Sequence, residues 1–261
     1  MLVLFFLVSF FASTIGAICG IGGGVIIKPV LDLLQLSGVS TISFLSGCTV
    51  LSMSLYSVAK SLLSGNNIDL KIVTALAFGA SIGGLLGKEL FTYISLNTNS
   101  MGIVGALQSA ILVIITFGTL IYTILKQKIH THHIDSCINR IIVGLVLGII
   151  SSFLGIGGGP INIIVLHFFF SMDTKRSAQS SLYIILFSQI TSLLSTLITN
   201  SIPPFSYKNL IVMVAGGVIG GIIGQKFYKE MDNKTIGKLL IIIIIIIIIT
   251  SIYNTYQYLI P

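Results

Sequence analysis

Residues 20–24 read Gly20-Ile21-Gly22-Gly23-Gly24, and residues 155–159 read Gly155-Ile156-Gly157-Gly158-Gly159. Each word sits inside a long apolar run, 2–36 and 141–172, where a glycine cluster is the poorest way to continue a helix. Unbroken, those runs would make helices of roughly 52 and 48 Å at about 1.5 Å per residue. The hydrocarbon core of a bilayer is only about 30 Å thick. The glycines therefore predict that each run is two shorter helices joined at a Gly-rich turn, as a tight hairpin or a re-entrant pair.

The remaining chain fits a lipid environment. Of 261 residues, 54% are hydrophobic and 8% charged, with a mean hydropathy of +1.06; soluble domains carry about 25% charged residues. Further apolar runs fall at 40–63, 72–94, 102–125, 177–199, 209–228 and 236–259, each long enough for one crossing at about 20 residues. This is the pattern of an all-α polytopic membrane protein, with the lipid bilayer as its first partner. The net charge of +7 is no nucleic-acid signal, because the cations lie in short loops between apolar runs rather than on one basic face. Cys19, Cys48 and Cys137 form no CxxC pair and read as small buried residues, not as a metal or redox site. The apolar start has no Lys or Arg before it and reads as a retained membrane segment.

The halves repeat. An offset of 135 lays Gly20–Gly24 on Gly155–Gly159 and Ser46 on Ser181. An offset of 137 lays Gly79, Gly83, Gly84 and Gly87 on Gly216, Gly220, Gly221 and Gly224, and Lys71 on Lys208. The expected organisation is a first transmembrane repeat over 1–128, an inter-repeat loop over 129–139 and a second repeat over 140–261. If each long run returns to the side it entered from, loops 64–71, 126–140, 173–176 and 226–238 share one side and hold most of the cations. If each crosses once, that bias vanishes. The positive-inside rule favours the first arrangement. It makes two inverted four-element repeats, the first element of each broken at its glycines, with both termini outside. Many secondary transporters are built so, with paired breaks at the binding site.

Non-helical backbone inside a bilayer is tolerated where it is buried in protein or lines a cavity. Freed amides at a new helix start, aided by the helix dipole, suit an anion. Gly22, Gly23, Gly24, Gly157, Gly158 and Gly159 are therefore candidate substrate-binding residues, with Pro29 and Pro160 reshaping the helices beside them. The glycines spaced at three and four in 79–87 and 216–224 read instead as close helix packing. Lys28 lies four positions after Gly24. At about 2.5–3.5 kcal/mol for a central Lys on insertion scales, it should face protein or water. It could touch an anionic ligand, snorkel to an interface, or pair with Asp32 at i+4. Its repeat counterpart is Ile163, and Asn162 is the nearest polar residue on that side. Ser46 and Ser181, near Thr49, Gln179, Ser180, Tyr183, Gln189 and Thr191, could coordinate an oxyanion or bond helix to helix. His167 reads as a structural histidine rather than a proton relay. His130, His132, His133 and Asp135 read as an exposed loop rather than a metal site.

No GxSxG, HExxH or Walker motif occurs, so neither an enzyme nor a bound cofactor or metal is expected. At this point the residues acquire a likeness. Ala17–Leu31, containing Gly-Ile-Gly-Gly-Gly and Lys28-Pro29, resembles the first signature of the sulfite exporter TauE/SafE family, the toluene-sulfonate uptake permease type. Phe153–Pro160 resembles its second. The resemblance implies secondary transport of small sulfur-containing anions (sulfite, thiosulfate or an organosulfonate) across a bacterial inner membrane, and the paired breaks with the intramembrane Lys28 lead us to expect alternating access. Its implied partner is a small anionic substrate. An anion channel, or a carrier of another small anion, is the competing reading.

Overall fold

The computed structural model describes residues 1–64, 68–98 and 101–259. These form ten α-helices: α1 (Leu2–Cys19), α2 (Gly24–Leu33), α3 (Val39–Leu63), α4 (Leu70–Asn97), α5 (Met101–Leu125), α6 (Cys137–Leu154), α7 (Pro160–Phe170), α8 (Thr174–Ile198), α9 (Tyr207–Glu230) and α10 (Asn233–Leu259). Eight are long and apolar enough to cross a membrane. The other two, α2 and α7, have 10 and 11 residues, about half a bilayer in length. They follow the two glycine words, so both long runs are divided where the sequence predicted.

Each half-helix doubles back on the helix before it. Phe5, near the start of α1, shares an apolar cluster with Leu31 at the end of α2, together with Ile42 and Met213. In the second half, the His132 amide donates to the Phe168 carbonyl at 2.7 Å and the Ile134 amide to the Phe169 carbonyl at 3.1 Å. The end of α7 is thereby tied to the segment that leads into α6.

Two faces follow. On one, the Lys229 ammonium donates to the Ser64 hydroxyl (3.1 Å), Lys126 to Thr174 (3.0 Å), and the Lys175 amide to the Asn233 side chain (2.8 Å). These bonds gather the ends of α3, α5 and α9 with the starts of α8 and α10, and this face carries most of the cations. Burial lowers the proton affinity of Lys126 there. Three of the seven acidic residues begin helices on the same face: Asp69 accepts from the Ile72 amide, Asp173 from Arg176 and Asp232 from Thr235. Such caps satisfy orphan amides and complement the helix dipole. The hydrogen bonds from Thr235 hold the Asp232 carboxyl below the usual carboxylate range. On the opposite face the Thr41 hydroxyl donates to the Pro204 carbonyl at 3.0 Å, and the Phe44 and Phe205 rings meet at a tilt with centroids 5.1 Å apart.

Helix packing has a common pattern in the two halves. A Cβ on Gly79, Gly83 or Gly87 of α4 would strike the carbonyls of Ile141, Leu145 and Ile149 in α6. A Cβ on Gly216, Gly220 or Gly224 of α9 would crowd Phe6, Phe10 and Thr14 in α1. Only glycine allows such backbone approach, which is how helices associate where lipid is as apolar as leucine. In both pairs the chains run parallel, since the partner numbers rise together. α3 and α8 cross between these pairs, and α5 packs on α10.

Candidate functional site

α1 ends at Gly20 and α6 at Gly155, both left-handed, with φ of +72° and +66°. A side chain at Gly20 would meet the Ala178 backbone of α8; one at Gly155 would lie 2.8 Å from the Ser43 hydroxyl of α3. Left-handed backbone and absent space together demand glycine at both positions. The turns then climb toward the middle of α3 and α8. There Val50 and Ile185, matched by the 135 offset, stand beside both Gly22 and Gly157.

The two turns touch. The Gly159 amide donates to the Ile21 carbonyl at 3.1 Å, and a Cβ on Gly24 would strike the Ile156 carbonyl. Pro160 explains why this bond is made from the second half. The residue before a proline is pushed out of the helical region, and Gly159 takes φ +77°, ψ −165°, turning its N–H away from its own helix. In the first half Gly23 is already helical, with φ −66°. Gly22, Gly23, Gly24, Gly157, Gly158 and Gly159 are all buried.

Lys28 is 3% exposed and makes the i+4 pair: its ammonium lies 3.1 Å from Asp32 and donates at 2.9 Å to the Gln108 side-chain oxygen. Gln108, from α5, donates onward to the Phe153 carbonyl at the end of α6. The first break, α5 and the second break are thus linked through one polar chain. The second Asp32 oxygen is buried without a partner. Ser46 and Ser181 are fully buried, each with a hydroxyl lacking a partner. Asn162 is buried with both amide atoms unpartnered, its nitrogen beside Gly158. An unsatisfied buried polar group costs about 1–3 kcal/mol, and Ser46, Ser181 and Asn162 are three of several such residues in the interior. His167 accepts or donates with the Tyr122 hydroxyl at 2.9 Å, as a structural histidine would. His130, His132 and His133 are exposed, and no group of potential metal ligands occurs among the described residues.

Sequence reasoning missed the cavity beside the second break. Ser43 and Gly47 of α3, Lys88 and Phe91 of α4, Gln108, Ser152 of α6, Gly155, and Gln189, Ser192 and Thr196 of α8 surround a small cavity of about 30 Å³. The Gln189 amide reaches between Gly47 and Gly157, joining this cavity to the meeting point of the turns. Lys88 is the one cation among these lining residues. The available signal was its position next to Gly87, inside an apolar helix, where the 137 offset gives Gln225 in the other half.

The chain matches the family model described as Sulfite exporter TauE/SafE over residues 5–251. It is 25% identical over 242 residues to the "Probable membrane transporter protein YunE" of Bacillus subtilis (strain 168), covering 86% of this chain and 88% of that protein. No solved structure matches. Two glycine-broken helix pairs meeting inside an eight-span bundle, with a family match over nearly the whole length, place this multi-pass membrane protein in one group: the chain belongs to the sulfite exporter TauE/SafE family of membrane transporters.

Proposed function

We propose that this protein is a secondary carrier of small sulfur-containing anions, of the sulfite, thiosulfate or organosulfonate class, working by alternating access in a bacterial plasma membrane. The observation that carries this reading is the contact between the two breaks, Gly159 N–H to Ile21 C=O. Two halves that meet at their non-helical segments can rock about that contact and open it to either side. The halves are 1–128 and 140–261, joined by 129–139, and the second is inverted relative to the first. In support, α1 starts on the face of the Thr41–Pro204 bond, whereas α6 starts on the cation-rich face. The substrate faces Gly22–Gly24, Gly157–Gly159, Lys28, Ser46, Asn162 and Ser181 during transit, and the unpartnered polar atoms of the last three supply donors to its oxygens.

Purified protein in liposomes tests this with radiolabelled sulfite and thiosulfate. A carrier is accelerated by unlabelled anion on the far side of the membrane, because the loaded site returns faster than the empty one. Trans-acceleration by either anion is expected. Flux that is unaffected by trans anion, or currents at channel rates in planar bilayers, would replace the carrier with an anion channel.

A further inference from the structure

Lys28 cannot act as a free cation while it holds Asp32 at 3.1 Å. The described residues contain two ion pairs, Lys28–Asp32 and Arg140–Asp135, and Lys88 belongs to neither. Lys88 is half-buried and lines the polar cavity beside Gly155, with the Phe91 ring 5.1 Å from its ammonium as its aromatic neighbour. An ammonium on a helix of membrane-spanning length and composition is costly unless it faces protein or water. Around it stand hydroxyls and amides rather than acids. The Ser43 hydroxyl is buried without a partner, the Ser152 hydroxyl donates to Ser192 at 2.8 Å, and Gln108 and Gln189 supply amides.

We propose that this cavity is an anion-binding site whose charge comes from Lys88, with the Ser43 and Ser192 hydroxyls and the Gln189 amide donating to the ligand's oxygens. One cation ringed by several neutral donors suits a small oxyanion, which offers three or more acceptor atoms, better than a halide, which offers one. The site is one-sided. In the other half the matching position is Gln225, whose amide donates to Gln179 at 3.4 Å, a neutral pair in place of a cation. Gln108 belongs both to the cavity and to the Lys28–Asp32 pair, and so passes the arrival of an anion to the broken helix of the first half.

This inference rests on the carrier reading for its role in transport, but not for binding. Thermal unfolding of detergent-solubilised protein with sulfite, sulfate and chloride reports binding to the native state. Labelled sulfite uptake into liposomes reports transport. Lys88→Gln is expected to abolish the sulfite-dependent rise in Tm and to cut uptake at low sulfite at least tenfold. Lys88→Arg should retain most of both, and Lys208→Gln, an exposed cation at the start of α9, should change neither. Should Lys88→Gln misfold, Ser43→Ala with Gln189→Leu gives the same comparison without altering charge. Sulfite shifts in Lys88→Gln equal to those of the wild type would overturn the site, as would a wild type that none of the three anions stabilises. Binding that depends on Lys88 without any wild-type transport would leave the site standing and remove the carrier.

Discussion

At the residue scale the decisive feature is the Lys28–Asp32–Gln108 group. Both charges are 3% exposed, and their shared position on α2 brings them together at i+4 by helix geometry alone. A buried pair need not stabilise relative to apolar residues, but removing one partner strands a charge at about 3–5 kcal/mol. Lys28→Gln or Asp32→Asn alone should therefore lower Tm by on the order of 10 °C in a chain of this size, read by thermal unfolding in detergent. Lys28→Met with Asp32→Leu should recover most of that loss. Single variants that melt within about 2 °C of the wild type would show that the pair is not buried together in the membrane-embedded protein. This pairing was one of three roles open to Lys28 in the sequence, because spacing shows who can reach Lys28 along its own helix. Gln108, 80 positions away, was invisible, since it depends on how α5 lies against α2.

At the element scale, stability turns on glycine-mediated contact between α4 and α6 and between α9 and α1. Intervals of four along 79–87 and 216–224 made these faces readable, but not the helices that fill them. Spacing describes one surface, whereas its partner is chosen by the whole bundle. The same limit hid the cavity, whose walls come from α3, α4, α5, α6 and α8, so no stretch of chain carries its signature. The turns were readable because clustered glycine inside an apolar run leaves few alternatives. Gly83→Ala places a methyl on the Leu145 carbonyl, and because backbone cannot yield as a side chain does, a cost of about 1–3 kcal/mol is expected. Gly118→Ala in α5, where a Cβ would meet nothing within 4 Å, should stabilise by about 0.5–1 kcal/mol through the lost freedom of glycine. Tm measured on both variants, with opposite signs expected, tests the packing. Equal and small effects would mean that α4 and α6 are farther apart than their backbones indicate.

At the scale of the whole molecule, orientation follows from electrostatics and from the two doubled-back runs together. The bonds Lys229–Ser64, Lys126–Thr174 and Lys175–Asn233 draw the cationic loops to one face, which the positive-inside rule assigns to the cytoplasm. Cys137, exposed at the start of α6, lies on that face beside the loop held by α7. Ser201, in the α8–α9 link near the Thr41–Pro204 bond, lies on the other. In intact cells a membrane-impermeant maleimide should therefore label Ser201→Cys and leave Cys137 unmodified. Inside-out vesicles should reverse the result. Cys19 is buried and Cys48 half-buried, so neither should contribute comparable signal. Labelling of both Cys137 and Ser201→Cys from outside intact cells would put the starts of α1 and α6 on one side. α1 and α6 would then no longer enter from opposite sides, and the exchange of two inverted halves, on which alternating access depends, would lose its geometric basis.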